Sequence, residues 1–210
     1  MPVFKESEQK KSTVTLYFDD RTSLTIRTKD FSKVPLTEGD DIELIEYTGK
    51  ICALQLNEAY EAALTLLDYS DRTESEIHKK LLMKGFLGDV IEAVIERLKG
   101  ARLINDKALA KRITDSASAK RMGTYALKRK MRQRGLSEED TEEALENMPP
   151  EIQEEAADKE AARLVKKYEK LPQREKYAKL TQALARRGFT WDAISSAVDK
   201  IRSDDFEEYD

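Results

Sequence analysis

The chain has 210 residues, 40% of them hydrophobic and 37% charged, so apolar material sufficient for a core is paired with a heavily ionic surface. Eight Gly and five Pro are too few for a loop-dominated or low-complexity chain, and no apolar run approaches the roughly 18 residues of a membrane span. Net charge is only −4, and the single cysteine, Cys52, excludes an intrachain disulfide and suits a reducing cytoplasm.

The N-terminus is polar through Lys5, Glu6, Glu8, Lys10 and Lys11, with no apolar segment of the kind a secretion signal needs, so a cytoplasmic protein is expected. Ser12 to Phe18 and Ser23 to Thr28 alternate in polarity and are rich in β-branched residues. With Asp19-Asp20-Arg21 between them they predict a β-hairpin. Asp41 to Leu56 supports two readings: Ile42 and Leu44 alternate as in a strand, whereas Ile51 and Leu54 could begin a helix.

From there on the chain repeats. Three segments align on Gly85, Gly135 and Gly188, spaced by 50 and 53 residues. Eight residues before each glycine stands Ile77, Leu127 or Leu180, and four before stands Leu81, Met131 or Leu184. Ten after stands Ile95, Leu145 or Val198, and thirteen after stands Leu98, Met148 or Ile201. Those offsets draw one apolar stripe on each of two successive helices. Each glycine follows a base (Lys84, Arg134, Arg187) and precedes an apolar residue (Phe86, Leu136, Phe189), which is the pattern of a helix stopped by a left-handed glycine. Ser137 and Thr190 can cap the following helix, Thr73 with Glu76 gives another capping-box signal, and Leu87 departs from the pattern. A third helix precedes each pair, over about Asn57 to Tyr69, Asn105 to Lys120 and Glu151 to Lys170, with Pro149-Pro150 and Pro172 as breaks.

The expected fold is therefore mainly α: three tandem three-helix repeats forming an elongated, curved body, with a small N-terminal β-containing extension. The expected divisions are 1–55 for the extension, 56–101, 102–149 and 150–203 for the repeats, and 204–210 for an acidic tail.

Charge is unevenly placed. Lys99 to Gly135 holds 12 basic and 2 acidic residues, whereas Ser137 to Glu160 holds 11 acidic residues and one lysine. One reading is a pair of solvated helix faces. The other is a binding face made by Arg121, Lys128, Arg129, Lys130, Arg132 and Arg134, with Tyr125 among them, echoed by Lys79, Lys80 and Lys84 in the first repeat and Arg186 and Arg187 in the third. The pattern suits phosphates and an acidic protein surface equally. Catalytic and metal chemistry have no foothold. His78 has no His or Cys at ligand spacing and reads as a surface residue, and there is no P-loop, G-x-G-x-x-G or nucleophile elbow. No cofactor is expected.

The glycine-anchored units, with Thr73-Glu74-Ser75-Glu76 and Lys84-Gly85-Phe86, resemble the RecX family. Leu103 to Ala110 looks like its L-I-[ND]-D-x-x-[FY]-A segment, and Gly123, Leu127, Met131 and Gly135 match its G-x3-[IL]-x3-L-x3-G run. The likeness covers about Tyr60 to Ile201; Leu109 stands where the family usually has an aromatic, and the first 55 residues carry no transferable signature. The resemblance implies a non-enzymatic regulator that binds the RecA–single-stranded-DNA filament in its groove and represses recombinase, ATPase and coprotease activity in DNA repair and the SOS response. From the basic residues a weak, sequence-indifferent contact with single- or double-stranded DNA is expected, and from the absence of a long apolar run no membrane; a monomer is expected. The competing reading is an autonomous nucleic-acid-binding helical repeat protein, because short helix pairs with basic faces also read DNA; an enzyme ranks well behind both.

Overall fold

The computed structural model describes residues 1–207, with side chains through Ser203. The chain forms two compact units, residues 1–105 and 106–210.

The first unit opens with an antiparallel meander, β1 (Phe4–Lys10), β2 (Thr13–Phe18) and β3 (Ser23–Arg27), in that order. The expected hairpin is β2 and β3, with Thr13 opposite Arg27 and Tyr17 opposite Ser23. Its turn is held by Asp20, whose Oδ1 accepts from the Thr22 backbone N–H at 2.9 Å and hydroxyl at 2.6 Å, and Arg21 takes a left-handed φ of 68°. The first strand escapes the sequence reading because only Phe4 in it is buried. Both its faces are polar, and its place is fixed by backbone pairing with β2 instead of by side-chain burial.

After the single turn α1 (Thr28–Phe31), the ambiguous stretch proves helical: α2 runs Leu44–Tyr69. Its buried stripe, Tyr47, Ile51, Gln55, Ala59 and Ala63, recurs every four residues. The first half of that stripe covers Phe4, Val14, Leu16, Phe18 and Ile26 of the sheet, and the second half belongs to the first repeat. The buried polar Gln55 in mid-stripe is what disguises a single helix as two segments. The repeat is completed by α3 (Glu74–Met83) and α4 (Gly88–Gly100), and the Thr73/Glu76 capping box forms as expected. At the uncapped Leu87 the backbone N–H instead donates to Gln55 Oε1 at 2.8 Å.

The second unit contains α5 (Asp106–Asp115), α6 (Ala117–Lys120), α7 (Thr124–Arg134), α8 (Glu138–Glu146), α9 (Pro150–Tyr168), α10 (Gln173–Arg186) and α11 (Trp191–Glu207). The helix expected over 105–120 breaks at Ser116 into α5 and α6. The acidic tail expected over 204–210 lies in part on the backbone of α11; residues 208–210, and the side chains from 204 on, fall outside the described residues.

All three glycines end helices as read from sequence. Gly85, Gly135 and Gly188 have φ of 81°, 80° and 81°, and the following amides of Phe86, Leu136 and Phe189 reach back to Leu81, Met131 and Leu184 carbonyls at 3.3, 3.1 and 3.3 Å. Those three acceptors are fully buried stripe residues, so each stop turns the chain directly over its own core. Gly135→Ala is accordingly expected to lower stability by about 1 kcal/mol or more, because alanine is strained at positive φ. Thermal unfolding checks this: the melting temperature should fall, and by clearly more than for a change at an exposed position of the same helix, such as Gln133→Ala.

Repeats two and three meet through backbone. The Gly123 N–H donates to the Arg187 carbonyl at 3.2 Å and the Tyr125 N–H to the Gly188 carbonyl at 2.9 Å, so the open N-terminus of α7 is satisfied by the closing carbonyls of α10. Gln153 of α9 seals the link, its Oε1 accepting from the Thr124 N–H at 3.0 Å and hydroxyl at 3.1 Å.

Candidate functional site

The sequence places five of the expected contact residues on α7, where Leu127 and Met131 turn inward and fix which way the bases face. The acidic block of α8 lies against them. Lys128 Nζ is 3.0 Å from both Glu138 and Glu142, Arg132 grips Glu138 at 2.7 Å, and Lys107 of α5 reaches Glu143 at 2.6 Å. Part of the charge asymmetry is thus settled inside the repeat. Hydrogen bonds from Arg132 and then Lys128 hold the Glu138 carboxyl down to about 2.

That shift carries a pH dependence. A carboxylate whose folded value is depressed contributes stability at pH above its ordinary 4.5, and the contribution disappears as pH falls towards about 2. Acid unfolding of the parent should therefore steepen between pH 4.5 and 2 relative to Glu138→Gln, measured by circular dichroism; superimposable acid limbs would contradict the pairing.

Other bases of α7 lie outside these pairs. Arg129 is exposed and makes no ion pair among the described residues, and it shares a shallow concavity with Tyr125, Lys128, Arg132 and Gln133. Lys130 is half-buried: desolvation pushes its amine down, and the positive charges of Lys120 and Arg134 push it further. Arg186 is exposed at the end of α10.

Arg121 and Arg187 are brought together by a residue the sequence reading passes over. Both converge on Glu160 of α9, whose side chain is 1% exposed, with Arg121 Nε at 3.5 Å and Arg187 Nε at 3.1 Å. Arg163 joins them, donating to both carboxylate oxygens at 2.6 and 3.0 Å. Burial raises the Glu160 pKa, but the hydrogen bond from Arg163 and the charge of Arg187 bring it below the ordinary value. The available signal is positional: Gln153, Ala157, Glu160 and Leu164 form one helical stripe, and a carboxylate on an apolar stripe demands partners.

In the first unit Lys79 and Lys80 are exposed on α3, and Lys84 at its end lines a recess with Lys11, Lys29, Arg27 and Phe86. Two rings also stand in solvent in the second unit, Tyr125 at 64% and Trp191 at 70% exposure, a wide departure from the burial usual for aromatics. No helix among the described residues is long and apolar enough to cross a membrane.

Comparison with known proteins matches this architecture repeat by repeat. Residues 59–98, 105–145 and 151–198 match the family models described as the first, second and third three-helix domains of RecX. Among curated proteins, the chain is 27% identical over 197 residues to "Regulatory protein RecX" of Limosilactobacillus reuteri (strain DSM 20016), covering 93% of this chain and 75% of the relative. It is 29% identical over 212 residues to that of Bacillus subtilis (strain 168), covering 98% and 79%. The corresponding protein of Clostridioides difficile (strain 630) is 26% identical, with both chains covered in full. Among solved structures, a crystal structure of regulatory protein RecX superposes with TM-score 0.65 at 26% identity, over 95% of this chain and 100% of the other. RecX from Lactobacillus salivarius superposes with TM-score 0.66 at 28% identity, over 71% and 98%.

Proposed function

The chain belongs to the RecX family of regulatory proteins, and from that premise we propose that it binds the RecA–single-stranded-DNA filament and lowers its recombinase, ATPase and coprotease activity. It acts as a monomeric cytoplasmic modulator without chemistry of its own. The observation that carries the reading is the unbroken succession of three RecX domains, each presenting bases outside its core: Lys79, Lys80 and Lys84 in the first, Arg129, Lys130 and Arg134 in the second, Arg186 in the third. A repeat array offers many modest contacts over a long surface, which suits a polymeric partner better than a small ligand. Both available partners, phosphate and acidic protein, are anionic.

Co-sedimentation tests binding directly. The protein should pellet with RecA-coated single-stranded DNA at concentrations where bare DNA retains little of it; equal retention would favour the autonomous nucleic-acid-binding reading instead. Arg129→Glu is the informative variant, since Arg129 holds no internal carboxylate among the described residues and its reversal leaves the Lys128 and Arg132 pairs in place. It is expected to weaken filament binding roughly 3- to 10-fold while melting at the parent temperature. Unchanged retention would remove α7 from the interface.

A further inference from the structure

The arrangement around Glu160 has more positive charge than its anion needs. One arginine satisfies a buried carboxylate, and Arg163 alone already donates to both oxygens. Arg121 and Arg187 add two further charges at the same point, with the mutual repulsion that entails. The Arg121 backbone is in the left-handed region, φ 49°, although it is not glycine, and its buried Nε has no hydrogen-bond partner among the described residues. The three arginine side chains are 43%, 46% and 44% exposed, whereas the carboxylate anchoring them is 1% exposed. The anchor therefore faces the protein and the surplus faces solvent.

We propose that Arg121, Arg163 and Arg187, assembled on the buried carboxylate of Glu160, form an oxyanion site that seats a phosphate of single-stranded nucleic acid. A guanidinium has five N–H donors in a planar fork, and Glu160 engages only some of them, so donors remain on each arginine. Two surplus charges converge where a phosphodiester brings one, and fixed forks lose less freedom on binding than free side chains. The choice of nucleic acid over an acidic protein rests on the rings. Tyr125 follows Gly123 by two residues and Trp191 follows Arg187 by four, and the Gly123–Arg187 hydrogen bond joins those two segments, so the segments that meet there carry two exposed rings. Tyr125 shares its concavity with Lys128, Arg129 and Arg132, and exposed rings on segments that also carry basic side chains are what unpaired nucleobases stack on. Glu160 is a positioning residue here. The inference takes its setting from the filament reading, but its chemistry needs no RecA.

The test is fluorescence anisotropy of a labelled oligothymidylate with the full chain, repeated across a salt series. Arg163→Ala should weaken binding about 5-fold or more and reduce the log–log salt slope by about 0.7, one phosphate contact on a single strand. Arg163→Lys keeps the charge and should not restore affinity. Glu160→Gln separates positioning from bulk charge: it makes the chain more positive, yet should bind more weakly because the forks lose their anchor. Arg163 is half exposed, so its variants keep the test valid if Glu160→Gln melts early. Parent affinity and slope in both Arg163 variants, or tighter binding by a folded Glu160→Gln, overturns the site. If inorganic phosphate raises the melting temperature of the parent but not of Arg163→Ala, and no oligonucleotide binds, the ligand is free phosphate and the nucleic-acid assignment falls. Binding to RecA filaments with no dependence on these arginines overturns this site and leaves the proposed function standing; oligonucleotide binding through them without any effect on RecA does the reverse.

Discussion

Gly123→Val is expected to lower the melting temperature by about 10 °C or more, the response to a loss of several kcal/mol in a domain of this size. A Cβ built on Gly123 overlaps the backbone nitrogen of Phe189 and the carbonyl of Gly188, and backbone cannot rotate aside as the end of a flexible side chain can. Gly188 is equally hemmed in, its own Cβ position falling on the backbone nitrogen of Ala126. Any separation that admits a side chain stretches the Gly123–Arg187 and Tyr125–Gly188 hydrogen bonds at once. Overpacking costs about 1–3 kcal/mol, and each buried backbone group left unsatisfied about as much again. Gly100→Ala, at a position with open space around it, is the control and should leave the melting temperature nearly unchanged. A Gly123→Val protein that melts with the parent would mean that repeats two and three do not pack through these backbones.

The second large effect is expected at Asp30. This carboxylate is 1% exposed and accepts from Arg27 Nε at 2.6 Å, Arg27 Nη2 at 2.9 Å and Gln55 Nε2 at 2.6 Å. Arg27 in turn stacks over Phe86 at 4.2 Å and reaches Glu58 at 3.1 Å. The network ties the sheet to the first repeat, because Gln55 also accepts from Leu87 and the Arg27 side chain packs against the Gly85 turn. Asp30→Ala leaves the guanidinium buried with Glu58 as its remaining carboxylate and strips Gln55 of an acceptor. Breaking one side of a buried pair costs about 3–5 kcal/mol. Replacing both partners, Arg27→Met with Asp30→Ala, should recover a large part of that loss, since no charge is then left buried without its partner. Urea denaturation of the two variants decides the matter. If the double variant is as unstable as the single one, the loss comes from packing and not from the orphaned charge.

What can be read from sequence follows from which features need a particular residue. The three glycine stops are legible because a positive φ strongly favours glycine and the flanking apolar residues recur at fixed offsets. Two further stops are not, because Arg102 and Arg121 take φ of 57° and 49° in the same hydrogen-bonded turn without the residue that announces it. The hairpin is legible from its alternation; β1 is not, since its stability comes from backbone pairing that leaves no hydrophobic trace. The first half of α2 is hidden because its stripe serves the sheet and not the repeat, with a buried glutamine at the change-over. Of the candidate site, the basic α7 is visible as composition. Its partial neutralisation by Glu138 and Glu142 is not, because the two charge blocks follow one another along the chain and come face to face only when α8 folds back past Gly135. Glu160 is masked by the ten other acidic residues of its block, although its place on an apolar stripe sets it apart.

The regulatory role is tested most directly by the rate of ATP hydrolysis by RecA on single-stranded DNA, followed while this protein is added in increasing amounts. A saturable fall in the steady-state rate is expected, with no ATP hydrolysis by the protein alone. A rate that stays level up to a molar excess over RecA would contradict that role.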